Sequence, residues 1–170
     1  MRRSMSGNGK RSKLGLEILV ILTSLGGLML LLYFVMFVSF QTGESSAGVT
    51  MALAEQVAHR IFSSPTADQI KTISYVIRYG AHLGLFFVVG VVTTFVSMVI
   101  CRRYFRIVGV FASGALCYVL AYYTEYYKQF VEGRHFQMTD AALNWYGSVA
   151  GILCMVIAYF LNRLLVKLSD

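Results

Sequence analysis

The fold class this sequence predicts is all-α: an integral membrane four-helix bundle with both termini in the cytoplasm. Three observations predict it. The chain is 57% hydrophobic and only 14% charged, with a single proline in 170 residues, which does not describe a water-soluble globule. Four stretches reach the ~20 predominantly apolar residues that a spanning helix needs. Lysine and arginine alternate in density between successive connections, as they do when a chain crosses a membrane repeatedly.

The first apolar stretch, residues 16–40, has Glu17 as its one charge. The preceding MRRSMSGNGKRSK imitates a secretory signal, but the apolar run is too long and lacks a small-x-small cleavage site, so it reads as an uncleaved spanning helix. Residues 1–13 are expected to form a mobile basic cytoplasmic tail drawn to anionic lipid, and residues 14–170 one transmembrane domain. The loop at 41–74 is too long for a simple connector. Within it Val49, Leu53, Val57 and Ile61 recur every fourth residue, with Glu55, His59 and Arg60 off that stripe. This spacing predicts a short amphipathic helix, on the outer surface or against the bundle, that ends by Pro65. The second span, 75–100, is apolar apart from Arg78 and His82, while 107–124 and 141–162 carry no charge. All four must be helical, since a spanning segment satisfies its backbone hydrogen bonds internally and these runs lack the alternation of barrel strands.

Orientation follows from the basic residues. Arg2, Arg3, Lys10, Arg11, Lys13, Arg102, Arg103, Arg106, Arg163 and Lys167 fall on one side of this arrangement. The other side has Arg60, Lys71, Arg78, Lys128 and Arg134, offset by several acidic residues. By the positive-inside rule the first set is cytoplasmic.

Several function classes are excluded. The net charge of +7 sits in short clusters between apolar runs, with no basic face carrying interleaved aromatics, so nucleic acid is not an expected partner. Cys101, Cys117 and Cys154 are too widely spaced for a CxxC site or a disulfide framework. His59, His82 and His135 lack a metal-ligand spacing, and neither a nucleophile elbow nor a phosphate-binding loop is present. No metal or cofactor is expected.

Ionisable groups near membrane depth are costly and mark sites. Arg78 and His82 share a face at the outer end of the second span; Glu125 lies where the third span leaves the membrane; Asp140 and Asn144 share a face at the outer end of the fourth, with Arg134 in the connection before it. These six residues can line one shallow polar pocket open to the outside. The structural alternative pairs Arg78 with Glu125 and Arg134 with Asp140, and makes Asn144 a buried hydrogen-bond partner. The functional one is a headgroup site, the two arginines suited to phosphate or carboxylate and His82 or Glu125 to proton transfer. Gly80 with Gly84, and Gly147 with Gly151, are expected at helix-packing seams rather than at a dimer interface. Tyr122, Tyr123, Tyr126, Tyr127, Trp145 and Tyr146 read as an interfacial aromatic belt, with stacking on a sugar as the alternative.

The run TEYYKQFVEGRHFQMTDAALNWYGSVAG resembles the signature of the VanZ-like membrane proteins, with Glu125, Phe130, Gly133, Arg134, Asp140, Asn144, Gly147 and Gly151 in the family's register. Arg78, Ala81 and His82 resemble its Arg-x-x-Ala-His, and Ser39-Phe40-Gln41 with Ser45-Ser46 its first external loop. Thr124 replaces the usual Asp, Lys128 a Gln, Glu132 a common Pro, and Leu85-Phe86 a Glu-Tyr pair. The resemblance implies a small bacterial plasma-membrane protein of the cell envelope, in a family associated with reduced susceptibility to teicoplanin-type glycopeptides. Its expected partners are membrane lipids, with a lipid-linked cell-wall precursor or the glycopeptide itself as candidates. The expected function is binding of a polar headgroup or such a precursor at the outer face. An intramembrane enzyme modifying an envelope lipid is the alternative, weakened by the acidic partners missing at Thr124 and Leu85; a small transporter is another, weakened by the lack of ionisable groups at mid-membrane in spans one, three and four.

Overall fold

Five helices make up the computed structural model, which describes the backbone of residues 5–101 and 106–169 and the side chains of residues 15–101 and 106–169. They are α1 (Met5–Ser39), α2 (Gly43–Ile61), α3 (Ala67–Ile100), α4 (Arg106–Lys128) and α5 (Met138–Ser169). The side chains of Arg2, Arg3, Lys10, Arg11, Lys13, Arg102 and Arg103, used above for orientation, lie outside the described residues. Four helices are long and apolar enough to cross a membrane: α1 from Gly15, α3, α4 and α5, with mean hydropathies of 2.5, 2.5, 1.6 and 2.1.

The helices overrun their expected limits wherever nothing stops them. α1 starts at Met5 rather than near Leu16, so most of the expected tail is helical; no proline interrupts it, the sole Pro65 lying far downstream. α3 starts at Ala67 rather than 75 because Thr66 and Gln69 form a capping box, each side chain bonding the other's backbone N–H. Its 34 residues span about 50 Å at 1.5 Å each. A hydrocarbon core of ~30 Å covers only part of that, so the first turns of α3 overhang the apolar layer. α4 continues past Thr124 to Lys128.

Contacts give the topology. Arg78 meets Asp140 and His82 meets Asn144, both at a sequence offset of 62, so α3 and α5 run parallel. α4 runs antiparallel to both and packs against each, with Thr94 bonding Ser113 at 3.1 Å and Thr93 bonding Cys117 at 3.2 Å. Phe40, just past α1, packs edge-on to Tyr127 near the end of α4. α1 and α4 therefore finish, and α3 and α5 begin, at the same end of the bundle, with α2 beside them.

Small residues set the α3–α5 seam. A Cβ added at Gly147 would stand 2.5 Å from the Leu83 carbonyl oxygen, at Gly151 2.1 Å from that of Phe87, and at Gly90 2.2 Å from that of Ser148. Gly80 and Gly84 are not in this seam: a Cβ at either meets nothing within 4 Å. The buried apolar cluster, Val35, Phe86, Val89, Cys117, Ala121 and Ile152, is small, while Leu30, Phe111, Phe160 and many other large apolar side chains are exposed. That inverted distribution belongs to helices whose outer faces contact lipid chains.

α2 packs on α3 through Ala54 and Ala58, both fully buried. The stripe of Val49, Leu53, Val57 and Ile61 is exposed beside that contact line rather than forming it. The helix is joined to the α4–α5 connection where the Gly43 N–H donates to the Glu132 carbonyl at 3.1 Å. Gly133 adopts φ +70°, a left-handed conformation that glycine adopts without strain, and a Cβ at Gly43 would collide with its carbonyl oxygen.

Candidate functional site

At the end of the bundle where α3 and α5 begin, three helices bring ionisable side chains together. Arg78 and His82 are one turn apart on α3, Glu125 and Lys128 one turn apart on α4, and Asp140 and Asn144 one turn apart on α5. The side chains of Glu125, Lys128 and Asp140 are only 1%, 7% and 1% exposed, His82 is 19% exposed, and Arg78 covers them at 41%. The six expected residues converge, with Arg134 at the margin and Lys128 added at the centre.

The pairing differs from the structural alternative read from the sequence. Arg78 binds Asp140 Oδ2 at 2.5 Å and Gln137 Oε1 at 3.1 Å, not Glu125. Glu125 takes the ammonium of Lys128, which also stands 4.0 Å from Asp140 Oδ2. Arg134 donates to the Ser39 carbonyl at 3.2 Å, satisfying one of the orphan carbonyls at the end of α1. Burial holds the Arg134 pKa below the ordinary arginine value, with Glu125 pulling it up and Arg78 pressing it down.

Asn144 orders the centre. An ionised carboxylate only accepts, so the 3.4 Å contact of Asn144 Nδ2 with Glu125 Oε1 has the amide donating. Asn144 Oδ1 then accepts from His82 Nδ1 at 2.8 Å, which turns His82 Nε2 towards Asp140 Oδ2 at 3.5 Å. One oxygen of each carboxylate, Glu125 Oε2 and Asp140 Oδ1, is buried with no hydrogen-bond partner.

His82, Glu125 and Asp140 can each present a ligand atom within 4.8 Å of the others. Charge opposes a divalent ion there, because Lys128 and Arg78 already balance the two carboxylates. The absent CxxC or His-Glu-x-x-His spacing is no guide to such a cluster, since its members come from three helices.

Sequence reasoning missed Lys128 and Gln137. Lys128 lies beyond the expected end of the third span at 124, and its i,i+3 spacing from Glu125 is the signal in the sequence. The tyrosines cluster at the same end, Tyr123 with Tyr127 at 4.4 Å between centroids and Tyr122 stacked on Tyr126 at 6.3 Å, while Trp145 meets Tyr118 edge-on at 5.4 Å.

Fold and site together define a multi-pass α-helical membrane protein with a buried ion-pair cluster at one end of its bundle. No family model, curated protein or solved structure matches the chain.

Proposed function

We propose that the chain is a VanZ-like protein of the bacterial cell envelope that binds a polar lipid headgroup or lipid-linked cell-wall precursor at the outer leaflet and alters susceptibility to glycopeptide antibiotics. The observation that carries the binding reading is the depth of the cluster: Glu125, Lys128, Asp140 and Asn144 are buried at the end of spanning helices, beneath an arginine that reaches solvent. Ionisable groups so placed are expensive, and a site is their usual reason. The VanZ-like reading rests on the register of Arg134, Asp140, Asn144, Gly147 and Gly151. The positive-inside rule puts this end of the bundle outside and both termini in the cytoplasm.

Native mass spectrometry of the protein released gently from its own membrane tests the binding reading. Wild type is expected to carry a defined phospholipid or cell-wall precursor that Arg78→Ala loses while staying folded. Identical bulk lipid on both would make the cluster a structural latch, the second reading, which the Arg134 bond to the Ser39 carbonyl favours.

In the same reading α2 is an amphipathic helix in the outer interface. At about 100° per residue, Val49, Leu53, Val57 and Ile61 cover an arc between the Ala54–Ala58 contact line and the polar side bearing Glu55, Gln56 and His59. In a Trp145→Phe background, the fluorescence of Leu53→Trp is expected to be quenched by brominated acyl chains and that of Gln56→Trp by aqueous iodide; the reverse pattern would remove α2 from the interface.

A further inference from the structure

We propose that the cluster selects a phosphodiester headgroup carrying hydrogen-bond donors, a primary ammonium or hydroxyl groups, over one that has none; this rests on the headgroup-binding reading above. Two observations carry it. The first is the pair of orphaned acceptors: Glu125 Oε2 and Asp140 Oδ1 are buried without partners, on side chains 1% exposed. Carboxylate oxygens can be satisfied only by donors, and a trimethylammonium group has no N–H to offer. The second is the charge balance. Glu125 and Asp140 are matched by Lys128 and Arg78, which leaves Arg134 as the surplus cation. One of its five N–H donors goes to Ser39, and the rest suit a monoanionic phosphodiester.

Arg78 provides the way in. It is the most exposed member of its ion pair, and its guanidinium closes over Asp140. When it turns outward to meet the phosphate, Asp140 loses a cation, and the ammonium or hydroxyls of the headgroup take its place. The exchange conserves charge for an ethanolamine headgroup and supplies donors to both orphaned oxygens. Choline offers the same charge but leaves both oxygens unpaired.

The experiment uses full-length protein in detergent, with retained lipid read by native mass spectrometry against dioleoyl phosphatidylethanolamine, phosphatidylglycerol and phosphatidylcholine. Ethanolamine and glycerol lipids should be retained at least ~10-fold better than the choline lipid, about 1.4 kcal/mol. Glu125→Gln and Asp140→Asn should each collapse that ratio towards unity. Water-soluble glycerophosphoethanolamine should displace the bound lipid where glycerophosphocholine does not, assigning recognition to the headgroup rather than the chains. Equal retention of choline and ethanolamine lipids, both lost in Arg78→Ala, would overturn this inference and leave headgroup binding standing. No retention above bulk, or no loss in Arg78→Ala, would overturn headgroup binding itself. Should a carboxylate variant not fold, the wild-type ratio alone decides.

Discussion

Replacing Lys128 by methionine should destabilise the folded protein by about 3–5 kcal/mol, the loss that follows when one partner of a buried ion pair is removed and the other charge is left behind. Glu125 has 1% of its side chain exposed, and its remaining neighbours do not replace the ammonium. Asn144 Nδ2 gives a long 3.4 Å bond to Oε1, and His82 Nδ1 stands 4.0 Å from the same oxygen. Methionine is of similar length, so lost packing contributes little and charge is what changes. Adding Glu125→Gln should return most of the loss, because the double variant leaves neither charge of that pair buried. The cycle is read by denaturation in dodecyl sulfate, following helix content. A Lys128→Met protein within ~1 kcal/mol of wild type would mean that Glu125 draws its compensation elsewhere.

The number and rough position of the spanning helices were legible because length and apolarity alone decide them. Their ends were not, since capping by Thr66 and the absence of a breaker after Thr124 carry the helices beyond the apolar runs. That error at α4 concealed Lys128, and with it the charge that satisfies Glu125. The six site residues could be grouped because their depth is readable along each helix. Their pairing could not, because it depends on the register of α3 against α5. Gly80-x-x-x-Gly84 and Gly147-x-x-x-Gly151 are equivalent as strings, yet only the second lies in the seam. Which face of α3 meets α5 is settled by the whole bundle, including Gly90 against Ser148. Likewise α2 was legible as a helix, but alanine rather than its larger apolar stripe makes the contact, since small side chains let the two backbones approach closely.

That seam supplies the other large expected effect. Gly151→Leu should cost about 3 kcal/mol, the upper end of the usual range for overpacking. Its side chain meets the Phe87 carbonyl at 2.1 Å and the Val91 nitrogen at 2.9 Å, which are backbone atoms that cannot rotate aside. Gly80→Leu and Gly84→Leu serve as controls; both face open space and should stay near wild type or gain slightly from helix propensity. The milder Gly147→Ala reports on the site as well as on stability. Gly147 lies one turn beyond Asn144, and its added methyl at 2.5 Å from the Leu83 carbonyl forces the helices apart by roughly 1 Å to reach ordinary contact. Arg78 and His82 ride on α3, Asp140 and Asn144 on α5, so that displacement stretches both cross-helix bonds at once. Gly147→Ala should therefore lose bound lipid while still folded, although it touches none of the polar residues. A variant that melts and retains lipid as wild type does would show that the seam does not hold the site in register.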